Sequence, residues 1–139
     1  METEAKLEDS RTFENLRTAF FEEASLAFRY RFFAVVAEFE GLDANAQLFK
    51  DLAEGGTGNV HGCLDFLRLI RDPSANVPIG STLKNTQSVV QSETRQYTEI
   101  YPEMARVARE EGFTDIASWF DTLEKLKRGH VQKLRTTEV

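Results

Sequence analysis

Along four long stretches of this chain the apolar residues recur at alternating steps of three and four, and no segment alternates strictly between apolar and polar. That spacing belongs to helices with one buried stripe, so the fold class reads as all-α. The first helix runs over about 11–40, with Ser10 or Thr12 as N-cap and Gly41 as its stop. The second runs over about 43–71. The segment "DPSANVPIGST" then breaks helicity with two prolines and a glycine. The third covers about 82–111, with Pro102 expected to kink it. The fourth covers about 115–134, and the tail "RTTEV" reads as frayed. Short connections at 41–43 and 112–114 make two helical hairpins, and the crossover 72–82 joins them. The expectation is a single domain over residues 1–139, a four-helix bundle.

The chain also repeats itself. At a shift of 70, Asn15 meets Asn85 and Glu23 meets Glu93. After a slip of one residue, Gly41 meets Gly112, Phe49 meets Phe120 and Leu52 meets Leu123. The same shift of 71 lays Gly56 on Lys127 and Asn59 on His130. A repeated hairpin implies a bundle with pseudo-two-fold symmetry, whose centre is built from equivalent positions of both halves.

Composition narrows the partners. A net charge of −6 argues against nucleic acid or an anionic membrane as the main partner. A single cysteine, Cys63, excludes an internal disulfide and a four-cysteine metal site. No apolar run reaches the ~18 residues of a membrane span, and the opening "METEAKLEDS" is acidic, unlike a signal peptide. The compartment expected is the cytoplasm.

The stripe of each helix is apolar except near its middle. Helix one gives Phe13, Leu16, Phe20, Glu23, Ala27, Tyr30 and Ala34; helix two gives Phe49, Leu52, Gly56, Asn59, Cys63, Phe66 and Ile70. Helices three and four place Glu93 and then Lys127 with His130 at the corresponding depth. Glu23, Glu93, Lys127 and His130 are therefore expected to meet in one polar layer beside Gly56 and Asn59. Buried charge is costly unless paired or metal-bound, so such a layer needs a chemical reason. The glycine-rich stretch "AEGGTGNVHG" lies in the same layer. A phosphate loop would need a preceding strand and a Gly-Lys-Ser/Thr ending, and neither is present.

Segments "ENLRTAFFEEASLAFRYRFFA", "LAEGGTGNVHG" and, most specifically, "SETRQYTEIYPEMARVAREEGFTDIASWF" resemble the rubrerythrin family over about residues 12–134. The resemblance implies a ferritin-like bundle, a di-iron peroxidase or oxidase activity and frequent dimers. Many members append a rubredoxin domain with two Cys-x-x-Cys pairs, for which this sequence has no counterpart. Carried over by position, Glu23, Glu93 and His130 match iron ligands. Gly56, Asn59 and Lys127 stand where Glu, His and Glu are implied, and Gln96 stands at an additional carboxylate position. Gly55, Gly58 and Gly62 then read as positions on a packed helix.

Lysine at a bridging position repels metal ions. Glu23 and Glu93 bring two negative charges, which Lys127 and a protonated His130 can neutralise without metal. The function expected is thus a non-catalytic, metal-free binding or interaction protein with a degenerate di-iron site and no cofactor. The alternative is a non-haem iron peroxidase or oxidase using Glu23, Glu93 and His130 as a reduced ligand set. Loss of side-chain volume at Gly56 and Asn59 suggests room for a small molecule in the bundle centre. His61 is expected to pair with Asp65, Cys63 to be a small buried hydrophobe, and Tyr30, Tyr97, Tyr101 and Trp119 to be core aromatics. Seven of the eleven phenylalanines lie between residues 13 and 39. Phe21, Phe28, Phe32, Val35 and Phe39 form a second apolar stripe on helix one. That stripe predicts a homodimer, with exchange of hairpins between subunits as a further option, or another protein partner.

Overall fold

The structure, a computed structural model, describes residues 6–137. It is all-α, with no strand among the described residues. A short 3₁₀ turn at Leu7–Asp9 precedes α1 (Arg11–Phe39) and α2 (Asp43–Leu67). After the connection come α3 (Thr82–Arg95), a π-helical segment (Gln96–Ile100), α4 (Tyr101–Glu110) and α5 (Thr114–Thr136). The chain divides between Pro73 and Ser74 into two compact units, one hairpin each. No helix among the described residues is long and apolar enough to cross a membrane.

In hairpin one, the Ser10 hydroxyl accepts from the Phe13 N–H at 3.2 Å and starts α1. The turn after α1 is closed twice. Gly41 N–H donates to Glu38 O at 3.1 Å, and Leu42 N–H reaches Ala37 O at 2.9 Å. These are the paired bonds of a Schellman cap, which needs a left-handed residue, and Gly41 supplies it at φ +73°. Small side chains then let the two helices approach: Ala27, Ala34, Ala37, Ala46, Ala53 and Gly56 are all buried. Phe13 and Leu67 plug the open end. There the Arg71 guanidinium lies 4.5 Å from the Phe13 ring centre, and Arg17 Nε donates to Pro73 O at 3.0 Å.

Hairpin two repeats this construction. Ser81 caps α3 by accepting from Lys84 N–H at 3.2 Å. Gly112 has φ +87°, with Gly112 N–H to Arg109 O at 3.1 Å and Phe113 N–H to Ala108 O at 2.8 Å. Its buried alanines, Ala105, Ala108 and Ala117, are the counterparts of Ala34, Ala37 and Ala46 at a shift of 71.

Two helix boundaries differ from expectation. Helix two ends at Leu67, followed by a turn, rather than at Arg71, because its last turn tightens: Leu69 N–H reaches Phe66 O at 3.3 Å and Ile70 N–H reaches Leu67 O at 2.9 Å, three residues back. The third helix is interrupted just before Pro102 by the π segment, where Tyr101 N–H reaches back five residues to Gln96 O. Thr98 Oγ1 donates to Thr94 O at 2.7 Å across the widened turn. Pro102 sits just beyond, in the first turn of α4, where a missing N–H is tolerated. The π segment holds one residue more than α1 does between matching positions. It is the physical form of the slip from 70 to 71 in the repeat.

Candidate functional site

Each hairpin by itself brings together part of the polar set expected in the layer. In hairpin two, Glu93 projects from α3 and Lys127 and His130 project from α5, three residues apart and so on one face. Lys127 Nζ donates to Glu93 Oε1 at 2.8 Å, and His130 Nδ1 lies 3.0 Å from the same oxygen. The side chains are 16% exposed for Glu93, 24% for Lys127 and 48% for His130. Lys127 is thus held inward rather than extended to water. Burial alone would raise the Glu93 pKa. The hydrogen bonds from Lys127 and His130, with their charges, outweigh that and hold the carboxyl below its usual range.

A cavity of about 470 Å³ opens beside this cluster, lined by Val89, Ser92, Glu93, Gln96, Lys127, His130, Lys133 and Leu134. Gln96 enters from the π segment, and its Oε1 is buried with no hydrogen-bond partner among the described residues. Lys133 did not stand out in the sequence. Its signal was its place three residues after His130, on the same side of α5.

In hairpin one, Glu23 from α1 and Asn59 from α2 are the counterparts of Glu93 and His130. Asn59 Nδ2 lies 3.5 Å from Glu23 Oε2, the outer limit of a hydrogen bond. Gly56, the counterpart of Lys127, is buried, and a Cβ there would stand 3.2 Å from Ala27 Cβ. The volume of the missing side chain is therefore not a void inside the hairpin, since α1 has closed onto it. The recess of hairpin one lies to the side, a groove of about 170 Å³ lined by Ala24, Ala27, Phe28, Arg31, Thr57, Val60, His61 and Leu64.

Gly55, Gly58 and Gly62 lie as expected on α2, the helix packed on α1, and nothing lies within 4 Å of where their Cβ atoms would be. Two further expectations are corrected. His61 does not bond to Asp65; it faces the groove, and Asp65 instead stands 4.0 Å from Arg68 Nε. Trp119 is 57% exposed rather than a core aromatic. Tyr30 and Tyr101 do stack on Phe49 and Phe120, with ring centres 6.1 and 6.3 Å apart. Tyr97 lies under the Arg128 guanidinium at 5.2 Å. Cys63 is a half-buried free thiol.

Among known proteins, the chain is similar to a rubrerythrin of Porphyromonas gingivalis, 32% identical over 136 residues, which are 95% of this chain and 68% of the relative. A rubrerythrin of Nitratidesulfovibrio vulgaris is 30% identical over 132 residues, covering 91% of this chain and 69% of the relative. Rubrerythrin-1 of Clostridium acetobutylicum is 27% identical over 135 residues, with 91% and 69% covered. No protein-family model matches the chain.

Proposed function

The chain belongs to the rubrerythrin family, and we propose that within it this protein is a metal-free, non-catalytic binding protein. The observation that carries this reading is the bond from Lys127 to Glu93. A ferritin-like di-iron centre takes one Glu from each of two helices and Glu-x-x-His from each of the other two. The residues present do not fit that centre. Lys127 presents an ammonium where an anionic donor is required, and it holds Glu93 Oε1 together with His130. Gly56 offers no donor, and Asn59 directs its amide nitrogen, not a ligand lone pair, to Glu23. The charge that a cation would supply beside Glu93 is already supplied by lysine.

Within this reading the clusters act as fixed polar elements. Glu93 stays ionised at neutral pH because Lys127 compensates it, so it neither exchanges protons readily nor recruits a metal. The same bond argues against the reduced-ligand enzyme, because Glu93 is one of its three ligands and is committed elsewhere. Elemental analysis of protein purified without chelator tests the proposal, followed by anaerobic titration with ferrous iron. The expected result is substoichiometric metal and a melting temperature unchanged by chelator. Two tightly held irons per chain, or one with peroxide turnover that depends on Glu23, Glu93 and His130, overturns it.

A further inference from the structure

The cavity of hairpin two has a lining whose charge the Glu93 cluster does not exhaust. Lys127 Nζ and His130 Nδ1 both meet Glu93 Oε1, at 2.8 and 3.0 Å. Lys133 lines the same cavity from α5, and its ammonium has no carboxylate within ion-pair distance among the described residues. Lys127 already balances Glu93. Two ammonium groups and one carboxylate therefore leave the lining with one positive charge in excess. That sign runs against the chain as a whole, whose net charge is −6. His130 is oriented by the same bond. An ionised carboxylate only accepts, so Nδ1 carries the proton that meets Glu93, and Nε2 is the ring nitrogen left without a partner among the described residues.

The internal repeat shows that this charge does not come with the hairpin design. At a shift of 71, Lys127, His130 and Lys133 become Gly56, Asn59 and Gly62, and at a shift of 70 Ser92 and Glu93 become Glu22 and Glu23. Hairpin one has carboxylates and no cation at the places where hairpin two gathers its lysines. The remaining lining and the size narrow the ligand further. Val89 and Leu134 offer apolar walls, and about 470 Å³ lies within the roughly 300–1,000 Å³ of small-molecule sites. A single excess charge suits a monoanion, whereas a dianion would bring one charge with no counterpart. We propose that this cavity binds an organic monocarboxylate, its carboxylate paired with Lys133 and its hydrocarbon body against Val89 and Leu134. The inference rests on the binding function proposed above, because a metal ion at Glu93 would displace Lys127 and change the charge of the lining.

The test uses the full chain as purified, with its metal content measured alongside. Calorimetric titration with benzoate and with hexanoate should show saturable binding at a single site. Benzamide, which keeps the ring and lacks the charge, should bind at least about tenfold more weakly than benzoate. Lys133→Met keeps an apolar stem and removes the ammonium, so it should weaken benzoate by about tenfold while helical circular dichroism is retained. Lys133→Arg should keep the affinity, since it keeps the charge. The contrast of benzoate with benzamide needs no variant and decides even where Lys133→Met fails to fold. No binding by about 10 mM, equal binding of benzoate and benzamide, inorganic phosphate binding more tightly than benzoate, or a Lys133→Met variant that binds as the parent does overturns the proposal. Those results leave the metal-free reading standing, which fails instead on iron held at Glu93.

Discussion

The two hairpins are the same construction put to different uses. Their turns share a glycine at positive φ, the same pair of closing hydrogen bonds and the same buried alanines. Even the recess beyond each turn is matched, with Phe33, Val36, Leu42 and Phe49 answering Met104, Val107, Phe113 and Phe120. An ion pair tying the two helices recurs with its signs exchanged, Glu38–Lys50 in one and Arg109–Asp121 in the other. Backbone geometry has therefore been kept while two features diverged. The middle of the stripe is closed down with Gly56 and Asn59 in hairpin one and carries a compensated ion cluster in hairpin two. The second stripe is aromatic in one, at Phe28, Phe32 and Phe39, and charged in the other, at Glu99, Glu103 and Glu110. What the helices need from each other is retained, and what they carry elsewhere is not.

Forcing the two middles to match again should produce the largest effect. The combined change Gly56→Glu, Asn59→His and Lys127→Glu places Glu-x-x-His on α2 and α5, opposite Glu23 and Glu93 on their own hairpins. The close approach of Ala27 to Gly56 makes this harder than ligand counting suggests, because α1 must move to admit a Cβ. Added carboxylates also repel one another without metal. The apo variant should lose roughly 3–5 kcal/mol in urea denaturation. Ferrous iron should recover part of that loss and couple binding to folding. A variant that stays as stable as the parent and takes up no metal would break the assigned correspondence between the hairpins.

Removing only the lysine should have the next largest effect. Lys127→Met leaves Glu93 with His130 alone, and because both partners are partly accessible the loss at pH 7 should be about 1–3 kcal/mol. The sign with pH follows from the lowered Glu93 pKa. A depressed carboxyl contributes stability above its unfolded value of about 4.3, and that contribution is lost as pH falls through the folded value. The gap between parent and variant should therefore be full at neutral pH and shrink below about pH 4.3. A gap that persists unchanged in acid would mean Lys127 stabilises through its stem rather than its charge.

How much of this was legible in the chain itself depends on the range of the interaction. Caps, turns and helix spacing are local, so Ser10, Ser81, Gly41 and Gly112 could be read directly. The slip from 70 to 71 was visible as an offset, but its form was not. An extra residue can be absorbed by a loop, a kink or a π turn, and spacing alone does not choose among them. Pairing choices were less legible. Lys127 was expected to offset Glu23 and Glu93 together, and its bond to Glu93 is the part of that pairing that hairpin two contains by itself. His61 had a plausible partner four residues on, yet its ring lies by the groove. Such choices depend on rotamers and on what the facing helix offers, which spacing does not encode.

The turns allow a direct test of equivalence at smaller energies. Gly41→Ala and Gly112→Ala each force a side chain into left-handed geometry, at about 1–2 kcal/mol. Because the two caps share their hydrogen bonds, the two losses should agree within about 0.5 kcal/mol, the usual scatter for independent sites. Thermal unfolding of each single variant checks this. A much larger loss at one turn would show that its surroundings, not its cap, set the energy.

The glycines of α2 give the smallest and most discriminating contrast. A Cβ at Gly56 would press on Ala27 Cβ, whose position is fixed by the α1 backbone, so Gly56→Ala should lower stability by about 1 kcal/mol. At Gly55, Gly58 and Gly62 a Cβ meets open space, and all three have ordinary helical geometry. There the methyl group only restricts the unfolded chain and favours the helix, so each alanine should raise stability by about 0.5–1 kcal/mol. The expected pattern is one loss and three gains along a single helix. Chemical denaturation of the four variants at low protein concentration reads it out. If Gly55→Ala, Gly58→Ala and Gly62→Ala destabilise instead, that strip of α2 is pressed against another surface. The glycines would then be there for close approach to it.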